Sequence, residues 1–273
     1  MDKYIVVGNP IVQSKSPDIH ALFAEQTKQN MEYDRLLVAN GDFEHAIRAF
    51  FKDGGKGLNI TAPFKSDAFE FADALTERAK LAGAVNTLFL NESGQIIGDT
   101  TDGLGLVADI LGQSWDIKNR RILILGAGGA VRGVLQPLLE QGPEQVHIAN
   151  RTEAKAQAIA DSFQSFGHVS ASDLNCSHAL ASGFDLVING SSAGLSGILP
   201  QVSESIFTGH PCVYDMSYAA TLTPFLTWAK NHGVQRYSDG LGMLVGQAAE
   251  SFFIWRGVRP EVKSVVQVLK AQL

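Results

Sequence analysis

Cysteine is nearly absent from this 273-residue chain. Cys176 and Cys212 are the only two, and neither sits in a CxxC or a Cys/His ligand spacing. That argues against a disulfide framework and fits a reducing compartment. The 7 histidines are scattered with no HExxH-like pair, so no metal site is expected. Basic charge is short as well: 22 Lys and Arg against 28 Asp and Glu leave a net charge of -6. A nucleic-acid footprint, which needs a basic patch, is therefore not expected. No run approaches the roughly 18 apolar residues that span a bilayer. The start, Met1-Asp2-Lys3-Tyr4, has no basic region ahead of an apolar stretch. The expectation is a soluble, cytoplasmic protein, a monomer or homodimer, whose partner is a small molecule. Internal repeats and low-complexity linkers are missing too.

What is present is enough sequence for two domains, 45% of it hydrophobic. From about Arg120 onward, short apolar runs alternate with helical patterns. "RILILG" (121–126), "QVHIAN" (145–150), "FDLVING" (184–190), "CVYDMS" (212–217) and "VQRYS" (234–238) read as buried strands, and "HVSAS" (168–172) as a weaker sixth. Strands alternating with helices imply an α/β fold with a parallel sheet covered on both faces. Six of them match a doubly wound, Rossmann-type dinucleotide-binding domain. The first hundred residues mix strand and helix differently. "YIVVG" is a strand, Ser16-Pro17 opens a helix with the serine as N-cap, and residues 85–99 form a hairpin around "NESG". After Tyr237 the pattern is helical to the end.

"RILILGAGGAVRG" sets Gly126, Gly128 and Gly129 between a strand and a helix. Glycines let the backbone turn sharply and approach a pyrophosphate, which the helix N-terminus then holds. Val131 stands at the sixth position, where Gly or Ala is usual. The second strand ends at "ANRT", where an NAD-binding protein carries an acid for the ribose hydroxyls. Asn150 and Arg151 stand there instead, ahead of Thr152, with Lys155 one turn on. A guanidinium pairs with a 2′-phosphate through two parallel hydrogen bonds, so the spacing predicts NADP(H). The plainer alternative is a solvated arginine beside a Thr152 cap.

Small uncharged polar residues gather at strand ends in the first half. Ser14 and Ser16 straddle Lys15, Asn59 and Thr61 alternate along "GLNITAPFK", Asn86 opens a strand, and Asp102 precedes a helix. Hydroxyls and amides with one lysine and one aspartate suit a small substrate bearing hydroxyl groups. Taken singly, Ser16 and Asp102 read equally as helix caps and Lys65 as a solvated lysine.

Together these stretches resemble the shikimate dehydrogenase family nearly end to end. The resemblance is carried by "GNPIVQSKSPDIH", "GLNITAPFK", "AGAVNTL", "GDTTDG", "GAGGAVRG", "NRT", "DMSY" with "TPFLTWA", and "DGLGMLVGQAAESFFIWRG". It implies Lys65 and Asp102 as the catalytic pair. Ser14, Ser16, Thr61, Asn86 and Gln247 would bind substrate, with Asn59 and Tyr218 in support. NADP would be held by Gly126, Ala127, Gly128, Gly129, Ala130, Asn150, Arg151, Thr152, Lys155, Met216 and Gly240, with Glu77 as a cofactor-side acid. The implied domains are residues 1–102 with 241–273 for substrate and catalysis, and 103–240 for NADP, with the active site in the cleft between them. Three positions depart from the family pattern: Thr100 in "GDTTDG", "NGSSAG" at 189–194, and "AATLTP" after Tyr218.

The implied reaction is the reversible NADPH-dependent reduction of 3-dehydroshikimate to shikimate. A lysine ammonium there can donate the proton or stabilise the oxyanion. Two alternatives remain at this point. One is a quinate or quinate/shikimate dehydrogenase of the same family; the other is a dinucleotide-sensing module without turnover, which has no need of a Lys65–Asp102 pair.

Overall fold

A computed structural model describes residues 1–176, 183–191 and 198–273. The chain divides into two compact units. Met1–Gly105 and Val245–Val268 form the first; Leu106–Leu244 and Leu269–Leu273 form the second.

The first unit is built on a six-stranded mixed sheet. Its strands are β1 (Asp2–Gly8), β2 (Met31–Leu37), β3 (Gly55–Ile60), β4 (Ala74–Leu75), β5 (Thr87–Leu90) and β6 (Ile96–Asp99), in the order β2-β1-β3-β5-β6-β4. β1 runs parallel to β2 and β3, whereas β5 is antiparallel to both β3 and β6. Helices α1 (Ser16–Thr27), α2 (Phe43–Lys52), α3 (Lys65–Phe71) and α4 (Glu77–Ala82) connect the strands. The central strand β1 is buried from Tyr4 to Gly8, as a strand covered on both faces must be. Leu58 and Ile60 of β3 are 0% and 2% exposed and pack with Ile5, Val7, Ile47 and Leu88. Such burial contributes roughly 1.5–3 kcal/mol per side chain. Gly8 is required by close approach, since a Cβ there would lie 2.5 Å from the Thr61 methyl.

The second unit carries six parallel strands: β7 (Arg121–Leu125), β8 (Gln145–Ala149), β9 (Val169–Ser172), β10 (Leu186–Asn189), β11 (Cys212–Asp215) and β12 (Tyr237–Asp239). Their order, β12-β11-β10-β7-β8-β9, is the doubly wound arrangement, with its reversal between β7 and β10. Helices α5 (Asp102–Gly112), α6 (Gly129–Leu139), α7 (Glu153–Phe163), α8 (Pro224–Asn231), α9 (Leu241–Arg256) and α10 (Val262–Ala271) complete the described chain. Leu123, Leu125, Val187 and Val213 bring the middle strands into one core with Phe207 and Phe225. The α/β architecture expected from the strand–helix alternation is present.

Several local expectations need correction. Lys15, in a helical conformation, is the N-cap of α1 and makes no side-chain cap; Ser16 is the first helical residue. The Ser14 hydroxyl engages the Ser16 N–H and hydroxyl instead. The hairpin strand begins at Thr87, leaving Asn86 just before it. The last strand covers Tyr237–Asp239, because Val234 closes the turn after α8 through a bond to the Ala229 carbonyl. The tail is two helices, interrupted where Gly257 adopts φ +68°. Sequence patterning also passed over β2, whose alternating partial exposure marks an edge strand.

Candidate active site

β3 ends at Ile60, and a turn closed by the Phe64 N–H on the Thr61 carbonyl starts α3 at Lys65. Phe64, 2% exposed, anchors that turn in the core. The Lys65 ammonium reaches the Asp102 carboxylate at 2.5 Å. Asp102 is the first residue of α5, where the helix dipole favours a negative charge. The second Asp102 oxygen accepts from the Asn86 amide at 2.9 Å. The carboxylate is therefore held by both oxygens, while the lysine side chain keeps 35% of its surface exposed.

Behind this pair lies a buried polar network within the first unit. The Asn86 amide nitrogen also meets Thr101 Oγ1 at 2.9 Å and Gln247 Oε1 at 3.1 Å. Its oxygen accepts from the Thr101 N–H at 2.9 Å and the Thr87 hydroxyl at 2.8 Å. Asn59 donates to Ser251 Oγ at 2.9 Å and Thr87 Oγ1 at 3.2 Å, and accepts from the Tyr33 hydroxyl at 2.8 Å. A buried polar group left unpaired costs about 1–3 kcal/mol, which is why these amides and hydroxyls are paired so fully. Asn59, 4% exposed, has both ends of its amide engaged by protein.

Ser14 and Ser16 sit together, their hydroxyls 3.2 Å apart. Arg35 on β2 fixes this loop with two bonds to the Ser14 carbonyl, at 3.1 and 2.6 Å. Thr61 is half-buried beyond the end of β3, its N–H bonded to the Val7 carbonyl. Thus Ser14, Ser16, Asn59, Thr61, Lys65, Asn86, Asp102 and Gln247 all lie in the first unit. Tyr218 follows β11 in the second unit, 36% exposed, its phenol pushed up by burial. Glu77 is exposed and pairs with Lys80 at 2.6 Å. Its neighbour Arg78 is the inward residue, forking both oxygens of buried Asp99 at 2.6 Å and so tying α4 to β6.

In the second unit the glycine turn follows β7, on the strand beside the reversal of sheet order. Gly126 has φ +109°, and a Cβ there would lie 3.0 Å from the Gly190 carbonyl oxygen. Gly128 is the N-cap of α6 and offers no side-chain cap; beside both Gly128 and Gly129 there is open space. Ala127 is half-buried in the turn and Ala130 exposed in the first turn of the helix. Exposed backbone N–H groups with clear approach suit a pyrophosphate. Val131 at the sixth fingerprint position is fully buried, and Gly190 makes room for it: a Cβ at Gly190 would lie 2.6 Å from the valine methyl. The small residue that close packing requires has thus moved to the facing strand end.

At the end of β8, Asn150 donates to the Thr152 carbonyl at 2.9 Å, shaping the turn into α7. Arg151 and Lys155 are both exposed, and among the described residues neither side chain has a hydrogen-bond or ion-pair partner. Met216 is tied by its N–H to the Asn189 carbonyl, and Gly240 is forced by the chain at Met216, whose carbonyl oxygen lies 2.2 Å from where a Cβ would stand. Asp215, which sequence reasoning missed, underpins this loop. It is fully buried, accepts from Asn189, Thr223 and the Ser217 N–H, and is pushed up by burial against the pull of those bonds. Of "NGSSAG", residues 192–194 lie outside the described residues.

Tyr33, Thr87, Thr101 and Ser251 were also missed. Thr87 and Thr101 adjoin Asn86 and Asp102 in sequence, and Ser251 follows Gln247 by four residues, on one helix face. Those spacings were the available signal. Tyr33 had none, since its strand went unrecognised.

Profiles of known families match three stretches of the chain. They are the shikimate dehydrogenase substrate binding domain over residues 6–88, shikimate/quinate 5-dehydrogenase over 106–204, and the shikimate 5′-dehydrogenase C-terminal domain over 240–270. A shikimate dehydrogenase (NADP(+)) of Vibrio atlanticus is 54% identical over 276 residues, covering 100% of this chain and 98% of its own. Among solved structures, an Ael1 enzyme from Pseudomonas putida superposes with a TM-score of 0.93 at 44% identity, covering 98% of each chain. Shikimate 5-dehydrogenase from Thermus thermophilus, in complex with NADP(H) and shikimate, gives 0.88 at 28% identity over 100% of both. With motifs, fold and full-length identity in agreement, the chain belongs to the shikimate dehydrogenase family.

Proposed function

We propose that the protein is an NADP-dependent oxidoreductase interconverting 3-dehydroshikimate and shikimate in aromatic biosynthesis. The observation that carries this reading is the Lys65–Asp102 pair, 2.5 Å apart in front of a network of amides and hydroxyls. The first unit is assigned the substrate and the second the dinucleotide. Ser14, Ser16, Thr61, Asn86 and Gln247 bind the substrate's hydroxyl and carboxylate groups, supported by Asn59 and by Tyr218.

The second unit fits NADP in the chemistry of its donors. The N-terminal N–H groups of α6, behind Gly126, Ala127, Gly128, Gly129 and Ala130, take the pyrophosphate. Arg151, with Asn150, Thr152 and Lys155 around it, takes the 2′-phosphate. Met216 and Gly240 border the same sheet end, and Glu77, on α4 of the first unit, is taken as a cofactor-side acid. When bound, the nicotinamide supplies or accepts the hydride at the ring carbon.

Lys65 holds the matching proton. In reduction, its ammonium donates toward the oxygen that becomes a hydroxyl and offsets the charge developing there. Asp102 keeps the ammonium in place and accepts from a substrate hydroxyl. Asn86, bonded to Asp102 and Gln247 together, sets the angle of both. The test is steady-state oxidation of shikimate and quinate, each with NADP and NAD. Shikimate with NADP is expected to give the highest kcat/KM. Faster turnover of quinate, or equal use of NAD, counts against the assignment.

A further inference from the structure

We propose that Tyr33 is a positioning residue of this site, its hydroxyl heading an oriented hydrogen-bond chain that runs through the buried amides to the Lys65–Asp102 pair. The inference rests on the reading of Lys65 and Asp102 given above.

The direction of each link follows from groups that can only donate or only accept. Asn59 faces the Asn86 carbonyl at 3.2 Å, so the atom on that side is its nitrogen. Its oxygen then faces Tyr33, and the phenol must donate to it, at 2.8 Å. Asn86 is settled the same way: the Thr101 N–H requires its oxygen and the Asp102 carboxylate its nitrogen. Thr87, 2.8 Å from that oxygen, must therefore donate its proton there and accept from Asn59. Burial pushes the Tyr33 phenol well up, so it stays protonated and able to donate.

The chain thus runs Tyr33, Asn59, Thr87, Asn86, Asp102, with every proton pointing toward the carboxylate that Lys65 neutralises. Links in such a chain polarise one another. The Tyr33 ring is locked by stacking on fully buried His20, with centroids 4.1 Å apart and planes 7° from parallel. Its hydroxyl therefore has a fixed direction. Arg35, two residues along the same strand and on the same face, holds the Ser14 carbonyl. Without the phenol proton, the buried Asn59 oxygen loses the donor it faces, and the amide loses one of the bonds that fix its plane toward Thr87.

The test compares Tyr33→Phe, Thr87→Val and Thr87→Ser with Lys65→Ala. Tyr33→Phe and Thr87→Val are each expected to lower kcat/KM for shikimate roughly five- to tenfold, the scale of one hydrogen bond, with KM for NADP within about twofold. Thr87→Ser, which restores the hydroxyl, is expected to recover more than half of the loss. The double variant Tyr33→Phe/Thr87→Val is expected to lose little more than the worse single variant, since either change cuts the same chain. Wild-type kcat/KM in folded Tyr33→Phe, or fully multiplicative losses in the double variant, overturns the proposal. Should Tyr33→Phe not fold, Thr87→Val and Thr87→Ser decide it: equal losses in both refute the chain. High activity in Lys65→Ala would instead refute the site itself, so the two failures are distinct.

Discussion

Lys65 and Arg151 are both lysine or arginine residues with exposed charge just past a strand, and only their surroundings separate them. Lys65 is held against a carboxylate that is itself held by an amide; among the described residues Arg151, exposed at the end of β8, has no partner. Lys65→Ala is expected to lower kcat about 10²–10⁴-fold, the usual worth of a positioned proton donor, with KM for NADP little changed. Retained turnover in a shikimate oxidation assay would remove Lys65 from the mechanism. Arg151→Ala is expected to raise KM for NADP roughly tenfold or more, as loss of a charge-assisted pair does, while KM for NAD stays level. Titration of both cofactors checks it, and an unchanged preference contradicts the 2′-phosphate assignment.

At the level of elements, the positions that admit only glycine reveal what the turns are for. Gly126 is needed for its positive φ, Gly190 for the buried Val131 methyl, and Gly240 for the Met216 carbonyl. Gly240→Ala drives a methyl into backbone that cannot yield as a side chain can. It is expected to lower stability by about 2 kcal/mol or more, read as a reduced urea midpoint; an unchanged midpoint refutes the close approach. The glycine turn and its strand were legible because strand, glycine run and helix follow one another in the chain. The missing sixth glycine was not explained by sequence, because the compensating Gly190 is some sixty residues away. β2 was illegible for a different reason. Its Met, Glu, Tyr, Asp and Arg carry no apolar rhythm, and only pairing with β1 makes them a strand.

For the whole molecule, one buried histidine in each unit sets an acid limit. Burial drives His20 down to about 3, with the nearby Asn59 side chain, not hydrogen-bonded to it in good geometry, opposing. Burial and then the Arg121 charge lower His147 to about 4, its ring nitrogens bridging Ser170 and Ser172. Both native rings stay neutral where the unfolded ones protonate. The unfolded state then binds more protons, so stability is full above about pH 6.5 and falls with pH through the folded values. For His20 the slope approaches about 1.4 kcal/mol per pH unit over much of that window. Urea titrations between pH 7 and 4 are expected to show it, and His20→Phe to flatten it in part. A pH-independent midpoint across that range would contradict neutral burial.

The amino-acid sequence by itself determined the α/β class, the glycine turn, the basic end of the second strand and the polar motifs that mark the family. These are properties of neighbours in the chain, where spacing alone states the chemistry. Tertiary structure decided which polar groups face one another. Nothing local says that Tyr33 donates to Asn59, that Ser251 backs Thr87, or that Arg78 rather than Glu77 turns inward. Hydrogen-bond partners are chosen by distance and direction after burial has removed water, and residues scattered from Ser14 to Ser251 meet only when the sheet and its helices bring them within about 3 Å.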